Sequence, residues 1–130
     1  MWIRFLCGVF ILLHGLVHFW YVILSVRWIE FKPEMGWTGK SWLLDPVIPP
    51  SVIRVIAVFL FSFAALSFIV GSGGIFWIKE WTRFVLFLSA IISSFTIFLF
   101  YDGSPHHFVQ KGILGVVINL VIILSGYFNQ

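Results

Sequence analysis

Charge is what this sequence has least of. Of its 130 residues, 10% are Asp, Glu, Lys or Arg, while 61% are hydrophobic and 20% aromatic. A water-soluble domain carries about 25% charged residues, so the charge present is too little to cover a soluble globule. A single cysteine excludes a disulfide framework and any zinc site built on several cysteines. The 8 Lys and Arg outnumber the 5 acids for a net charge of +3. They are scattered, however, and form no basic stripe along which a nucleic acid could lie. Also missing are a phosphate-binding glycine loop, a Ser-His-Asp or Cys-His set, a CxxC pair and paired carboxylates. Their absence speaks against hydrolysis, nucleotide use and dithiol chemistry.

Long apolar runs are what the chain has instead. Four stand out, at about Ile3 to Val26, Val52 to Val70, Trp81 to Tyr101 and Gln110 to Tyr127. Crossing a hydrocarbon core takes roughly 17–25 helical residues, and each run falls near that range. Segments such as FLFSFAALSFIV and LVIILSGYF are apolar on both parities, whereas barrel strands alternate. The expectation is therefore an all-α membrane four-helix bundle: one integral membrane domain over 1–130, with four transmembrane helices and antiparallel neighbours.

Local chemistry sets the expected boundaries. Pro49-Pro50-Ser51 opens the second helix, with Ser51 placed to accept from an orphan amide of the first turn. Gly71-Ser72-Gly73-Gly74 ends it, and Asp102-Gly103-Ser104-Pro105 ends the third. Trp2, Trp20, Trp28, Trp77, Trp81, Tyr101 and Tyr127 lie near the ends of the runs, where amphipathic rings favour the headgroup region. The longest polar segment, Arg27 to Ser51, carries Trp28, Trp37 and Trp42 beside Glu30, Glu34 and Asp45, and is expected to lie against the membrane surface. Arg4 ahead of an apolar run imitates a secretory signal, but the run exceeds the 7–15 residues of a signal core. Arg4, Lys79 and Arg83 share one side of a four-span topology, and Arg27, Lys32, Lys40, Arg54 and Lys111 the other. The positive-inside bias then puts both termini outside and the tryptophan-rich loop in the cytoplasm.

His14 and His18 are the most informative residues. Spaced (i, i+4), they share one helix face. His14 lies about 16 Å down the first helix at 1.5 Å per residue, near the bilayer centre. An ionisable side chain at that depth faces the bundle interior or a wet cavity, and marks a candidate site. Asn119, at the same depth in the fourth helix, is the natural hydrogen-bond partner. Ser62, Ser67, Ser89, Ser93, Ser94 and Thr96 complete the polar inventory of the spans. The expectation is a polar intramembrane cluster or small ligand pocket on His14, His18 and Asn119, with no metal, since no third ligand lies in the spans. His106 and His107, in the third loop, and Asp102 are surface candidates. An imidazole pKa near 6.5 makes that histidine pair a pH-responsive patch, and Asp102 suits a helix-ending turn. A haem between His18 and His106 or His107 is the geometric alternative. Gly8 and Gly15, and Gly112, Gly115 and Gly126, suit close helix packing. Cys7, near a helix end, suits packing or acylation.

Arg4, Gly8 and Gly15, with His14-Gly15-Leu16-Val17-His18, resemble the opening of DoxX-like membrane proteins, which are small four-helix bundles. The Ser41-Trp42-Leu43-Leu44 segment and the ending Asp102, Gly112, Asn119 and Gly126-Tyr127 look like one branch of that family. Where the DoxX-like pattern usually has a lysine soon after the second glycine, this chain has His18. The resemblance implies at most a link to quinone or redox complexes, as some relatives serve a thiosulfate:quinone oxidoreductase, and it carries over no catalytic residue. The primary expectation is a non-enzymatic accessory or structural subunit in a prokaryotic plasma membrane, in contact with lipid and with a membrane-protein partner or further copies of itself. The alternatives are a redox subunit holding quinone or haem at His14 and His18, and a small oligomeric transporter.

Overall fold

A computed structural model describes residues 1–29, 37, 39–107 and 112–128. Glu30, Lys32, Glu34, Gln110 and Lys111, used above for the loop, the fourth span and the charge bias, lie outside the described residues. The order of elements is α1 (Trp2–Ser25), α2 (Pro50–Phe76), α3 (Thr82–Leu99), the single turn α4 (Pro105–His107) and α5 (Ile113–Phe128), with no strand among the described residues. The architecture is an all-α four-helix bundle. Helices α1, α2 and α3 are each long and apolar enough to cross a membrane, and the apolar part of α5, Ile113–Ser125, is shorter. These spans fit an integral membrane protein.

Burial follows helical periodicity. On α1 the buried residues include Gly8, Ile11, His14, Gly15 and His18; on α2 they include Ile53, Ala57, Phe61, Ala64, Ala65, Phe68 and Gly71. Successive spans pack side by side, α1 on α2, α2 on α3 and α3 on α5. Outward-facing Leu13, Phe59, Phe63, Phe95 and Leu120 remain exposed, as suits rods whose surroundings are lipid. The core divides into two apolar clusters. One, at the loop end, gathers Leu24, Trp37, Ile53, Ala57, Phe61, Leu99 and Phe100. The other holds Ile11, Phe68 and Ala90.

Two boundaries differ from the sequence expectation. Helix α2 does not end at Gly71-Ser72-Gly73-Gly74 but continues to Phe76. A Cβ at Gly71 would collide with Leu86, and one at Gly74 with Thr82 and Trp81. These glycines serve close approach of α2 to α3, a use that membrane helices make of small residues. The turn falls beyond them, where Ile78 takes φ 52° and the Lys79 amide donates to the Gly74 carbonyl at 3.0 Å. Helix α1 stops in the same way: Arg27 takes φ 57°, and the amides of Arg27 and Trp28 donate back to Leu24 and Ile23 at 3.2 and 3.3 Å. Both are left-handed helix ends usually given to glycine. The second difference is Ser51, which makes no cap. Pro49 holds the N-cap position without a side-chain hydrogen bond, and its carbonyl already accepts from Val52 and Ile53 at 3.0 and 3.1 Å.

The tryptophan-rich loop does more than lie on a surface. Trp37 is buried against Phe61 and Phe100, at ring-centroid distances of 5.8 and 5.5 Å. The Ser41 hydroxyl donates to the Leu99 carbonyl at 2.5 Å. Trp42 donates twice to the end of α3, through Nε1 to Phe98 at 2.9 Å and through its amide to Tyr101 at 2.7 Å. The final carbonyls of a helix have no partner inside it, and this strap supplies partners for those of α3.

Candidate functional site

Between the two apolar clusters lies a polar one, drawn from three helices. Helix α1 contributes His14 and His18, α3 contributes Ser93 and Ser94, and α5 contributes Asn119. His14, His18, Ser93 and Asn119 are all buried. His14 Nε2 lies 3.0 Å from Asn119 Oδ1. Asn119 Nδ2 lies 2.8 Å from Ser93 Oγ and 3.1 Å from Ser94 Oγ. His18 Nε2 lies 2.7 Å from Ser93 Oγ, and His18 Nδ1 lies 3.1 Å from the carbonyl oxygen of His14.

Donor and acceptor chemistry fixes the direction of each bond. A carbonyl oxygen only accepts, so His18 Nδ1 carries a proton and donates to the His14 backbone. In a neutral imidazole the other nitrogen is then bare, and His18 Nε2 accepts from the Ser93 hydroxyl. Ser93 Oγ in turn accepts from the Asn119 amide. Asn119 Oδ1 accepts from Nε2–H of His14. The sequence of donors runs His14 to Asn119 to Ser93 to His18 and returns to His14, a closed circuit of neutral groups. Neutrality is what an apolar bilayer demands of a buried network, because a charge at the membrane centre is costly.

Aromatic packing holds the rings in place. The two imidazoles meet edge to face with centroids 5.3 Å apart, and Phe68 stands against both, at 4.9 Å from His14 and 5.7 Å from His18. One atom remains outside the circuit. His14 Nδ1, bare because Nε2 carries the proton, has no hydrogen-bond partner among the described residues.

A cavity of about 160 Å³ opens beside this clasp. Its walls come from α1 (His14, Val17, His18, Tyr21), α5 (Leu114, Gly115, Ile118), Phe61 of α2, Ile97 of α3, Trp37 of the strap, and the segment Phe100 to Asp102. It occupies the α1–α5 seam, the one flank of the bundle without extensive backbone contact among the described residues. The hydrogen bond from His14 to Asn119 spans that seam.

The structure thus brings His14, His18 and Asn119 together. Asp102 stands apart from the clasp and serves its own turn, where its carboxylate accepts from the Ser104 amide at 2.9 Å beside Gly103 at φ 84°; it also borders the cavity. His106 lies exposed in α4 and His107 follows it. Cys7 is exposed on α1. Among the described residues no group of three His, Cys, Asp or Glu could hold a metal ion. Ser93, which joins His18 to Asn119, stood in the sequence only as one hydroxyl among several. Its signal was depth: it lies two residues past the midpoint of the third apolar run, on the face shared with Ser89 and Thr96. Those two neighbours bond back along their own helix, to Val85 and Ile92, at 2.7 Å each.

Comparison with known proteins finds no family model that matches the chain, no matching curated protein and no matching solved structure.

Proposed function

We propose that this protein is a non-enzymatic accessory or structural subunit of a membrane complex, a small bundle that packs in lipid beside other membrane proteins. One observation carries the reading: apart from His14 Nδ1, the polar groups of the clasp satisfy one another. His14 Nε2, His18 Nε2, the three amide hydrogen-bonding groups of Asn119 and the Ser93 hydroxyl are committed to holding α1, α3 and α5 together, while His18 Nδ1 is bonded within α1. Groups spent on helix packing are not free to move protons or activate a substrate. The DoxX-like resemblance of the first helix belongs to the same proposal, as does an assembly with further copies of the chain.

The redox alternative draws on the same residues and has less support. Haem iron needs an open imidazole nitrogen, whereas both Nε2 atoms here face protein partners at 3.0 and 2.7 Å. A quinone presents carbonyl acceptors, and the bare nitrogen beside the cavity is itself an acceptor. Two measurements test the proposal. Gentle extraction from the native membrane should bring the full chain out in a larger assembly with defined protein partners; migration as an isolated chain in every mild detergent would overturn it. An absorption spectrum of the purified protein should lack a Soret band, and a band lost on replacing His18 would restore the haem reading.

A further inference from the structure

The cavity in the α1–α5 seam has mainly apolar walls. Val17, Phe61, Leu114 and Ile118 line it beside His14, and both nitrogens of His18 are already bonded. His14 Nδ1 is left as an acceptor. It is also reachable, because the one fully buried side-chain nitrogen or oxygen without a partner among the described residues is Thr82 Oγ1, at the far turn. A buried water needs two to four polar partners and would find one at this nitrogen. Further along α1 stands Tyr21, whose hydroxyl makes no hydrogen bond among the described residues, and its ring stacks on Phe61 at 4.9 Å. Tyr101 and Asp102, towards the loop, already have interactions of their own.

A guest that carries a hydrogen-bond donor on an otherwise apolar body matches the bare nitrogen and the mainly apolar walls. Size narrows the choice. An apolar cavity of about 150 Å³ holds benzene, so about 160 Å³ accommodates one six-membered ring. We propose that the cavity binds a phenol, a single hydroxylated aromatic ring whose O–H donates to Nδ1 of His14 while the ring lies among Phe61, Val17 and Ile118. The ring can arrive free or as the head of a lipid, since the loosely packed seam between α1 and α5 gives a tail a way out to the acyl chains. This site goes beyond the accessory-subunit reading and does not rest on it.

The test uses the full chain with nitrogen-15-labelled histidine in an alkyl maltoside detergent, titrated with phenol and with anisole, which has the same ring and no donor. Phenol should move the His14 Nδ1 resonance saturably and leave the Nε2–H signal in place. It should bind about ten-fold more tightly than anisole, the factor that one net hydrogen bond of about 1.4 kcal/mol supplies. Ile118→Phe, at a wall residue outside the hydrogen-bond circuit, should lower phenol affinity by about ten-fold or more with the Nε2–H signal retained. Equal affinity for phenol and anisole, an unmoved Nδ1 resonance at saturation, or undiminished binding by a folded Ile118→Phe protein would each overturn the site. 4-Hexylphenol then identifies the source of the ring. Binding tighter than that of phenol, after micelle partition is corrected with 4-hexylanisole, assigns a lipid-borne ring, and weaker binding assigns a free one.

Discussion

The two flanks of α1 are joined to their neighbours by different physics. Towards α2 the contact is steric and close: a Cβ at Gly15 would stand 2.8 Å from Phe68 Cβ and 3.2 Å from the Ala65 carbonyl oxygen, and one at Gly8 would strike the ring of Phe76. Towards α5 the helices hold apart around a cavity, and a hydrogen bond from His14 to Asn119 reaches across. In lipid no hydrophobic drive pulls helices together, so association relies on close packing of small residues or on buried polar pairs. This bundle uses the first on one side of a single helix and the second on the other. Close packing tolerates no added atom; a polar clasp tolerates space around it but not the loss of a partner.

Substitutions that strike each flank separate the two modes. The largest effect is expected from Gly15→Leu, which forces bulk between α1 and the backbone of α2. Overpacking of this kind costs about 3 kcal/mol, to be read as a lowered unfolding midpoint in a detergent titration. Asn119→Leu leaves His14 Nε2–H and the Ser93 hydroxyl without their shared partner. A loss of about 1.5 kcal/mol is expected, near the upper end for interhelical hydrogen bonds in membranes. A probe pair on α1 and α5 should show that seam widening while α1–α2 distances hold. Ser41→Ala touches neither flank. It removes the bond to the Leu99 carbonyl and should cost about 1 kcal/mol, visible as faster amide exchange at the strap with the clasp intact. Smallest, and opposite in sign, is Ile78→Gly. A β-branched residue at φ 52° carries backbone strain of about 1 kcal/mol, and its relief, set against the freedom glycine adds to the unfolded chain, should raise the midpoint slightly. If Gly15→Leu and Asn119→Leu perturbed both seams alike, the contrast between the flanks would be wrong.

Much of the fold was legible because hydropathy and length decide what can cross lipid. The meeting of His14 with Asn119 was legible for a related reason: depth follows from residue count, and polar groups at one depth seek each other. Ser93 was harder to single out, since every hydroxyl in α3 sits within reach of its own preceding turn, and only the facing helix decides which one turns away. The glycine run at Gly71 to Gly74 misled because glycine in water-soluble chains marks a stop, whereas here it marks contact with Leu86 and Thr82. Residues Arg27 and Ile78 carry no sequence signal for a left-handed turn at all. The strap was legible as a tryptophan-rich loop, but its docking depends on the unpaired carbonyls at the end of α3, which no local pattern announces.

The circuit that closes on the His14 carbonyl has one last consequence. A Grotthuss wire needs, at each station, a group able to release on one side what it gains on the other. Here the final link is a peptide oxygen, which can accept a hydrogen bond but passes nothing onward. A hydrogen ion arriving at His14 Nδ1 therefore has no exit through Asn119, Ser93 and His18 while those bonds stand.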